Sequence, residues 1–143
     1  GTCNGAEIFD DYGHHPTTIK HTIESARNRA SGKLFVLFQP HRYTRTQGLW
    51  NEFLHYFANS PIDNLIITDL FPASEQPIEH IRSLNLVADL KMLNPDFTVL
   101  YLPLVDDFAT LTAYLKGQLA KNDLLMLQGA GKMNKIYSKL IDS

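Results

Sequence analysis

Ala6-Glu7-Ile8-Phe9-Asp10-Asp11-Tyr12-Gly13-His14-His15-Pro16-Thr17 is the stretch from which the fold can be read. Ala6 to Phe9 is an apolar run, and Ala6–Asp11 reads as a strand. Thr17–Ala30 reads as a helix, with Ile19, Ile23, Ala26 and Ala30 on one stripe. The polar string between them occupies a strand-to-helix turn. Pro16 suits the first helical turn, where its missing N–H would be unpaired in any case. It also holds His15 extended, which sharpens the turn. Gly13 supplies backbone angles that a Cβ forbids. One Asp or His before a helix is an ordinary cap. Five polar or ionisable groups in the six positions 10–15 exceed what a cap needs and mark a candidate site. The positive end of the helix points at this turn and suits a phosphate or carboxylate.

Outward from this turn the chain alternates. Ser31-Gly32 ends the helix. Lys33–Phe38 holds the continuous apolar run Leu34-Phe35-Val36-Leu37-Phe38, the mark of a strand buried on both faces. Gln39–Thr46 reads as a polar loop. Gln47–Asn59 reads as a helix burying Leu49, Trp50, Phe53, Leu54 and Phe57, and Leu65–Thr68 as a short buried strand. Asp69–Glu79 is irregular, broken by Pro72 and Pro77. Ser83–Leu93 is helical and Thr98–Leu102 a strand. Asp106–Leu119 is helical, with Phe108, Leu111, Leu115 and Leu119 on one face. Leu124–Leu127 is a strand, Gly129-Ala130-Gly131 a turn and Asn134–Ile141 a last helix. Five strands alternating with helices predict an α/β fold with a parallel, doubly wound sheet and right-handed connections. Ligands bind such sheets beyond the carboxyl ends of the strands. The three polar strings all follow strands, so they should share one rim.

The 143 residues fit one domain with its own core. With 44% hydrophobic and 20% charged residues the composition is that of a globular protein. A formal net charge of −2 provides no field to draw nucleic acid or an acidic membrane. Cys3 is the only cysteine, which excludes a disulfide framework and fits a reducing cytoplasm. No run of about 18 apolar residues predicts a membrane span. The first residues lack a signal-peptide pattern and an initiator methionine, so the chain reads as a piece of a longer protein.

The second polar string is Gln39-Pro40-His41-Arg42-Tyr43-Thr44-Arg45-Thr46. Arg42 and Arg45, three apart, face the same way if this segment turns helically. Their guanidinium groups bind phosphate or carboxylate through paired hydrogen bonds. The third string, Gln128-Gly129-Ala130-Gly131-Lys132, lacks the Gly-x-x-x-x-Gly-Lys-Ser/Thr pattern of a phosphate-binding loop. Gly129 and Gly131 close a tight turn there, for a ligand or for the fold alone. Asp10, Asp11, His14 and His15 do not make a metal site, because neighbouring side chains on an extended segment diverge. His21 lies on the following helix and reads as facing solvent, and His41, His55 and His80 show no partners in sequence.

These strings carry a resemblance. Asp10 to Thr17 resembles the signature that opens the C-terminal domain of the Mur ligases. Gln39 to Thr46 and Gln128 to Gly131 resemble the second and third signatures, in the expected order. The chain departs from that pattern at Lys132-Met133-Asn134. The resemblance implies a Rossmann-like third domain that closes over ATP and delivers the amino acid. The two preceding domains would supply the UDP-sugar site, the phosphate-binding loop and the magnesium (Mg2+) ligands. The string His41-Arg42-Tyr43-Thr44-Arg45 points to the branch joining L-alanine to UDP-N-acetylmuramate at the expense of ATP, in peptidoglycan precursor synthesis. The tripeptide-recycling branch is the alternative. By this resemblance His14, Arg42 and Arg45 serve the reaction, and Tyr12, His14, Arg42, Arg45 and Ala130 hold substrate. Asp11 and His15 meet the nucleotide, with Asp11 accepting hydrogen bonds from its ribose, and no residue of this chain holds metal. The isolated chain is then expected to be inactive. Without the resemblance, two other functions remain: a stand-alone nucleotide-binding module and a structural domain for oligomer contacts.

Overall fold

Every residue of the apolar strand Leu34–Phe38 is buried, and alternate side chains serve opposite faces. Leu34, Val36 and Phe38 join a core with Ile19, Ile23, Phe53, Phe57 and Leu86. Phe35 and Leu37 join a second core with Leu111, Leu115, Met133 and Ile136. Cover on both sides is why the run does not alternate with polar residues. This is a computed structural model, and it describes residues 1–11, 13, 15–129 and 133–141. Tyr12, His14, Ala130, Gly131 and Lys132 lie outside the described residues, together with the site and turn expectations placed on them.

The elements in chain order are β1 (Thr2–Cys3), β2 (Ala6–Asp11), α1 (Pro16–Arg29), β3 (Leu34–Phe38), α2 (Tyr43–Gly48), α3 (Trp50–Ala58), β4 (Asn64–Ile67), α4 (Ser83–Leu93), β5 (Val99–Tyr101), a 3₁₀ turn (Asp106–Phe108), α5 (Ala109–Gln118), β6 (Leu124–Gln128) and α6 (Met133–Leu140). The sheet order is β1-β2-β6-β3-β4-β5. β1 runs antiparallel to β2, and every other neighbouring pair is parallel. Helices α1, α3 and α4 cover one face and α5 and α6 the other. The result is the expected Rossmann-like, doubly wound and mostly parallel α/β sheet. The chain steps outward from β2 under α1, α3 and α4, then returns on the far face through α5 to insert β6 between β2 and β3. The winding therefore reverses at β6, which makes the β2/β6/β3 end the topological switch point, where such folds bind ligands.

Four local expectations need correction. A sixth strand, β1, is present, but two residues are too few to show a period. Gln39–Thr46 is not wholly a loop, because α2 begins at Tyr43. The expected helix Gln47–Asn59 is divided between α2 and α3 at Leu49, which has φ −109° and ψ 10°. Asp106–Phe108 forms a separate turn before α5, with φ of 51°, 54° and 67° at Asp106, Asp107 and Phe108. Lys139 Nζ meets Asp107 Oδ2 at 2.6 Å across that turn.

Candidate active site

Strand register places the three polar strings together. Asp11 on β2 is level with Gln128 on β6, and Gln128 is level with Phe38 on β3. The segments that follow leave the sheet side by side at its carboxyl edge. They are also joined through the backbone. The Gly129 N–H donates to the Asp11 carbonyl at 2.9 Å, and the Gln39 N–H donates to the Gln128 carbonyl at 3.0 Å. Gly129 has φ +144°, and a Cβ there would lie 2.8 Å from the Gln39 carbonyl oxygen. That turn requires glycine on both counts.

The first string ends in a cap. His15 is extended, and its Nδ1 accepts the Thr17 N–H at 3.2 Å as the N-cap of α1. The His15 side chain is otherwise exposed. Asp11 Oδ2 accepts from Gln128 Nε2 at 2.7 Å and from Thr22 Oγ1 at 3.1 Å. The Asp10 carboxyl titrates above its usual range, through burial first and the nearby Asp11 charge second. Its Oδ1 is buried and has no hydrogen-bond partner among the described residues.

The second string is built around a strained residue. Arg42 has φ 68° and ψ 145°, a region that glycine occupies freely and other residues rarely. Its backbone is held on both sides. The Arg42 N–H donates to the Phe71 carbonyl at 2.8 Å, and Thr46 Oγ1 donates to the Arg42 carbonyl at 2.6 Å. The Arg42 side chain is exposed. Arg45, one turn on, is half-buried and donates from its guanidinium to His41 Nδ1 at 3.2 Å. Arginine only donates, so Nδ1 accepts and His41 carries its proton on Nε2. Burial first, then Arg45 and Arg42, lower the His41 pKa below its usual 6.5 and keep the ring neutral. The ring also stacks on Phe71, with centroids 5.5 Å apart.

α2 has no side-chain cap of its own, and Glu75 supplies one from the Asp69–Glu79 segment. Its carboxylate accepts from the Thr44 N–H at 3.1 Å and from Thr44 Oγ1 at 2.5 Å. The Thr44 hydroxyl, followed by the Thr44 N–H, lowers the Glu75 pKa.

Asp11, His15, Arg42 and Arg45 thus all lie in segments that leave the carboxyl edge of the sheet at its switch point. Sequence reading passed over Gln128, His41, Thr22 and Glu75. Gln128 alone offered a signal: a polar side chain closing an apolar strand, directly before a glycine. A groove of about 680 Å³ lies elsewhere, between α1 and α3. Tyr56 lines it, and its hydroxyl is buried without a hydrogen-bond partner among the described residues. Lys20, Glu24, Glu52 and His55 line it too, but the strained arginine and the register-matched strand ends are at the rim, which we take as the site. Among the described residues no group of three or more His, Cys, Asp or Glu is placed to hold a metal ion. No described helix is long and apolar enough to cross a membrane.

Fold and rim define a doubly wound α/β domain whose switch point brings the Asp10-Asp11 strand end and the segment bearing Arg42 and Arg45 to one edge of the sheet. The chain belongs to the Mur ligase, glutamate ligase domain family, which residues 1–131 match. It is 41% identical to a UDP-N-acetylmuramate–L-alanine ligase of Syntrophus aciditrophicus, over 99% of this chain and 28% of that protein. It is 40% identical to the ligase of the same name from Desulforamulus reducens, over 99% of this chain and 29% of that protein. The chain therefore spans under a third of the length of these curated relatives. The crystal structure of a murein peptide ligase from Psychrobacter arcticus shares the fold, with a TM-score of 0.74 at 19% identity, covering 98% of this chain and 28% of that one.

Proposed function

We propose that this chain is the C-terminal domain of a three-domain, ATP-dependent ligase that joins L-alanine to UDP-N-acetylmuramate. The observation that carries this reading is the 41% identity, over 99% of the chain, to a protein named for that reaction. The arginine-bearing rim supports it, because a triphosphate, a carboxylate and an amino acid brought together concentrate negative charge that cations must offset. In this reaction the muramate carboxylate takes the γ-phosphoryl group of ATP, and the alanine amine then displaces phosphate from the acyl phosphate. Arg42 and Arg45 hold the anionic groups, and neutral His41 keeps the Arg45 fork in place. Asp11 accepts from the nucleotide's ribose through the carboxylate oxygen that Gln128 and Thr22 leave open. His15 lines the nucleotide side from the start of α1. Tyr12, His14 and Ala130 complete the substrate side. The donor set described above does not fit magnesium, so its ligands belong to the other domains and no step on these residues runs through it.

In this reading the isolated chain lacks the phosphate-binding loop and the UDP-sugar site. Phosphate release with ATP, UDP-N-acetylmuramate and L-alanine should stay at background for the chain alone and appear for the full-length protein. Turnover by the chain alone would overturn the three-domain reading.

A further inference from the structure

Gln128 is the last residue of β6 and 0% exposed, between the two strands that carry the other polar strings. Its Nε2 donates twice, to Asp11 Oδ2 and to the Gly13 carbonyl, each at 2.7 Å. Both targets only accept, so the amide orientation is determined: Nε2 faces them and Oε1 faces away. A carboxylate at this position would confront two acceptors with no proton to offer. The segment after β2 is folded down onto this amide. A Cβ on Gly13 would lie 2.8 Å from Thr18 Cγ2, 3.1 Å from Asp11 Oδ2 and 3.3 Å from Gln128 Nε2. Thr22, on α1, supplies a second donor to the same Asp11 oxygen at 3.1 Å. Asp11 is therefore held at its main-chain carbonyl by Gly129 and at one carboxylate oxygen by Gln128 and Thr22. Its Oδ1 has no hydrogen bond to a described side chain.

We propose that Gln128 is a positioning residue. Its amide fixes the Asp11 carboxylate and the Gly13 backbone in one arrangement, so that Asp11 Oδ1 presents an acceptor to the ribose hydroxyls of the nucleotide. The inference rests on the reading of Asp11 given above. A fixed carboxylate meets the hydroxyls without first being ordered, whereas a mobile one spends part of the binding energy on its own restraint.

The test uses the full-length ligase and two nucleotides, ATP and 2′,3′-dideoxy-ATP, which lacks the hydroxyls. Wild type should use ATP about 10- to 100-fold more efficiently in kcat/KM, the range for losing hydrogen bonds to a charged group. Gln128→Met should lose most of that preference, with the loss in the KM for ATP rather than in kcat. Thr22→Val, on the surface of α1, should lose part of it and serves if Gln128→Met does not fold. Equal losses with both nucleotides, leaving the preference intact, would make Gln128 purely structural and overturn the proposal. So would an unchanged preference in Thr22→Val. Asp11→Asn separates the two levels: if it abolishes the preference while Gln128→Met keeps it, only the positioning role falls. If Asp11→Asn is itself silent, the reading of Asp11 falls and the proposal with it.

Discussion

Replacing Arg42 by glycine and, separately, by alanine should divide its backbone role from its side-chain role. Arg42 sits at φ 68° and ψ 145°, where a non-glycine residue costs on the order of 1–3 kcal/mol. Glycine removes that strain but raises the entropy of the unfolded chain, which costs roughly 0.5–1 kcal/mol. Alanine keeps the strain. Arg42→Gly should therefore be about 1 kcal/mol more stable than Arg42→Ala, or about 4 °C in Tm for a chain of this size. Neither substitution breaks a side-chain hydrogen bond to a described residue, so Arg42→Ala should melt within about 1 kcal/mol of wild type. Both lose the guanidinium. In the full-length enzyme both should lose on the order of 2–4 kcal/mol of transition-state stabilisation, a fall in kcat/KM of about thirty- to a thousand-fold. Arg42→Lys should also lose activity, since an ammonium keeps the charge without the fork. Thermal melts by circular dichroism and phosphate-release kinetics measure the two effects. A glycine variant melting below the alanine variant would refute the strain argument. Near-normal kinetics in either would remove Arg42 from the substrate site.

His41 is held neutral with its pKa below 6.5, so acid should cost the fold stability. The unfolded chain takes up the proton first, stability falls as pH drops through 6.5 and below, and His41→Gln should flatten that part of a Tm-against-pH curve. The groups facing His41 include Arg42, Arg45 and Glu75, and an unchanged slope would assign the acid loss to other groups. Glu75→Gln should weaken the hold on Thr44 and lower kcat/KM modestly, by less than Arg42→Ala, with Tm close to that of wild type; unaltered kinetics would limit Glu75 to capping. Phe57 is 0% exposed, with its ring centroid 5.2 Å from that of Phe38. Phe57→Ala should cost about 3–5 kcal/mol in urea unfolding, and a loss under 1 kcal/mol would mean that this core repacks freely.

Legibility in the sequence followed the range of the forces involved. Leu34–Phe38 announced a two-sided sheet because burial acts on each residue in turn. The string Asp10 to Thr17 announced a strand-to-helix turn because Pro16 constrains its own backbone and that of His15 before it. α2 was hidden because its cap comes from Glu75, 31 residues beyond Thr44. The left-handed turn Asp106–Phe108 was hidden because it holds no glycine, and aspartate visits that backbone only occasionally and as single residues. At the rim, Arg42 and Arg45 were legible as types able to bind anions, and Asp11 as an acceptor. The groups that aim them, Gln128 on Asp11 and His41 on Arg45, were not, since neither pairing is visible without the register of β2 and β6 or the turn of α2.

We propose that the rim of this domain serves an alanine-adding ligase. The most direct measurement is amine-dependent phosphate release by the full-length protein, with ATP and UDP-N-acetylmuramate present, comparing L-alanine with a tripeptide amine as acceptor. Release should depend on L-alanine and be lost in Arg45→Ala. Release that depends on the tripeptide and ignores L-alanine would contradict it.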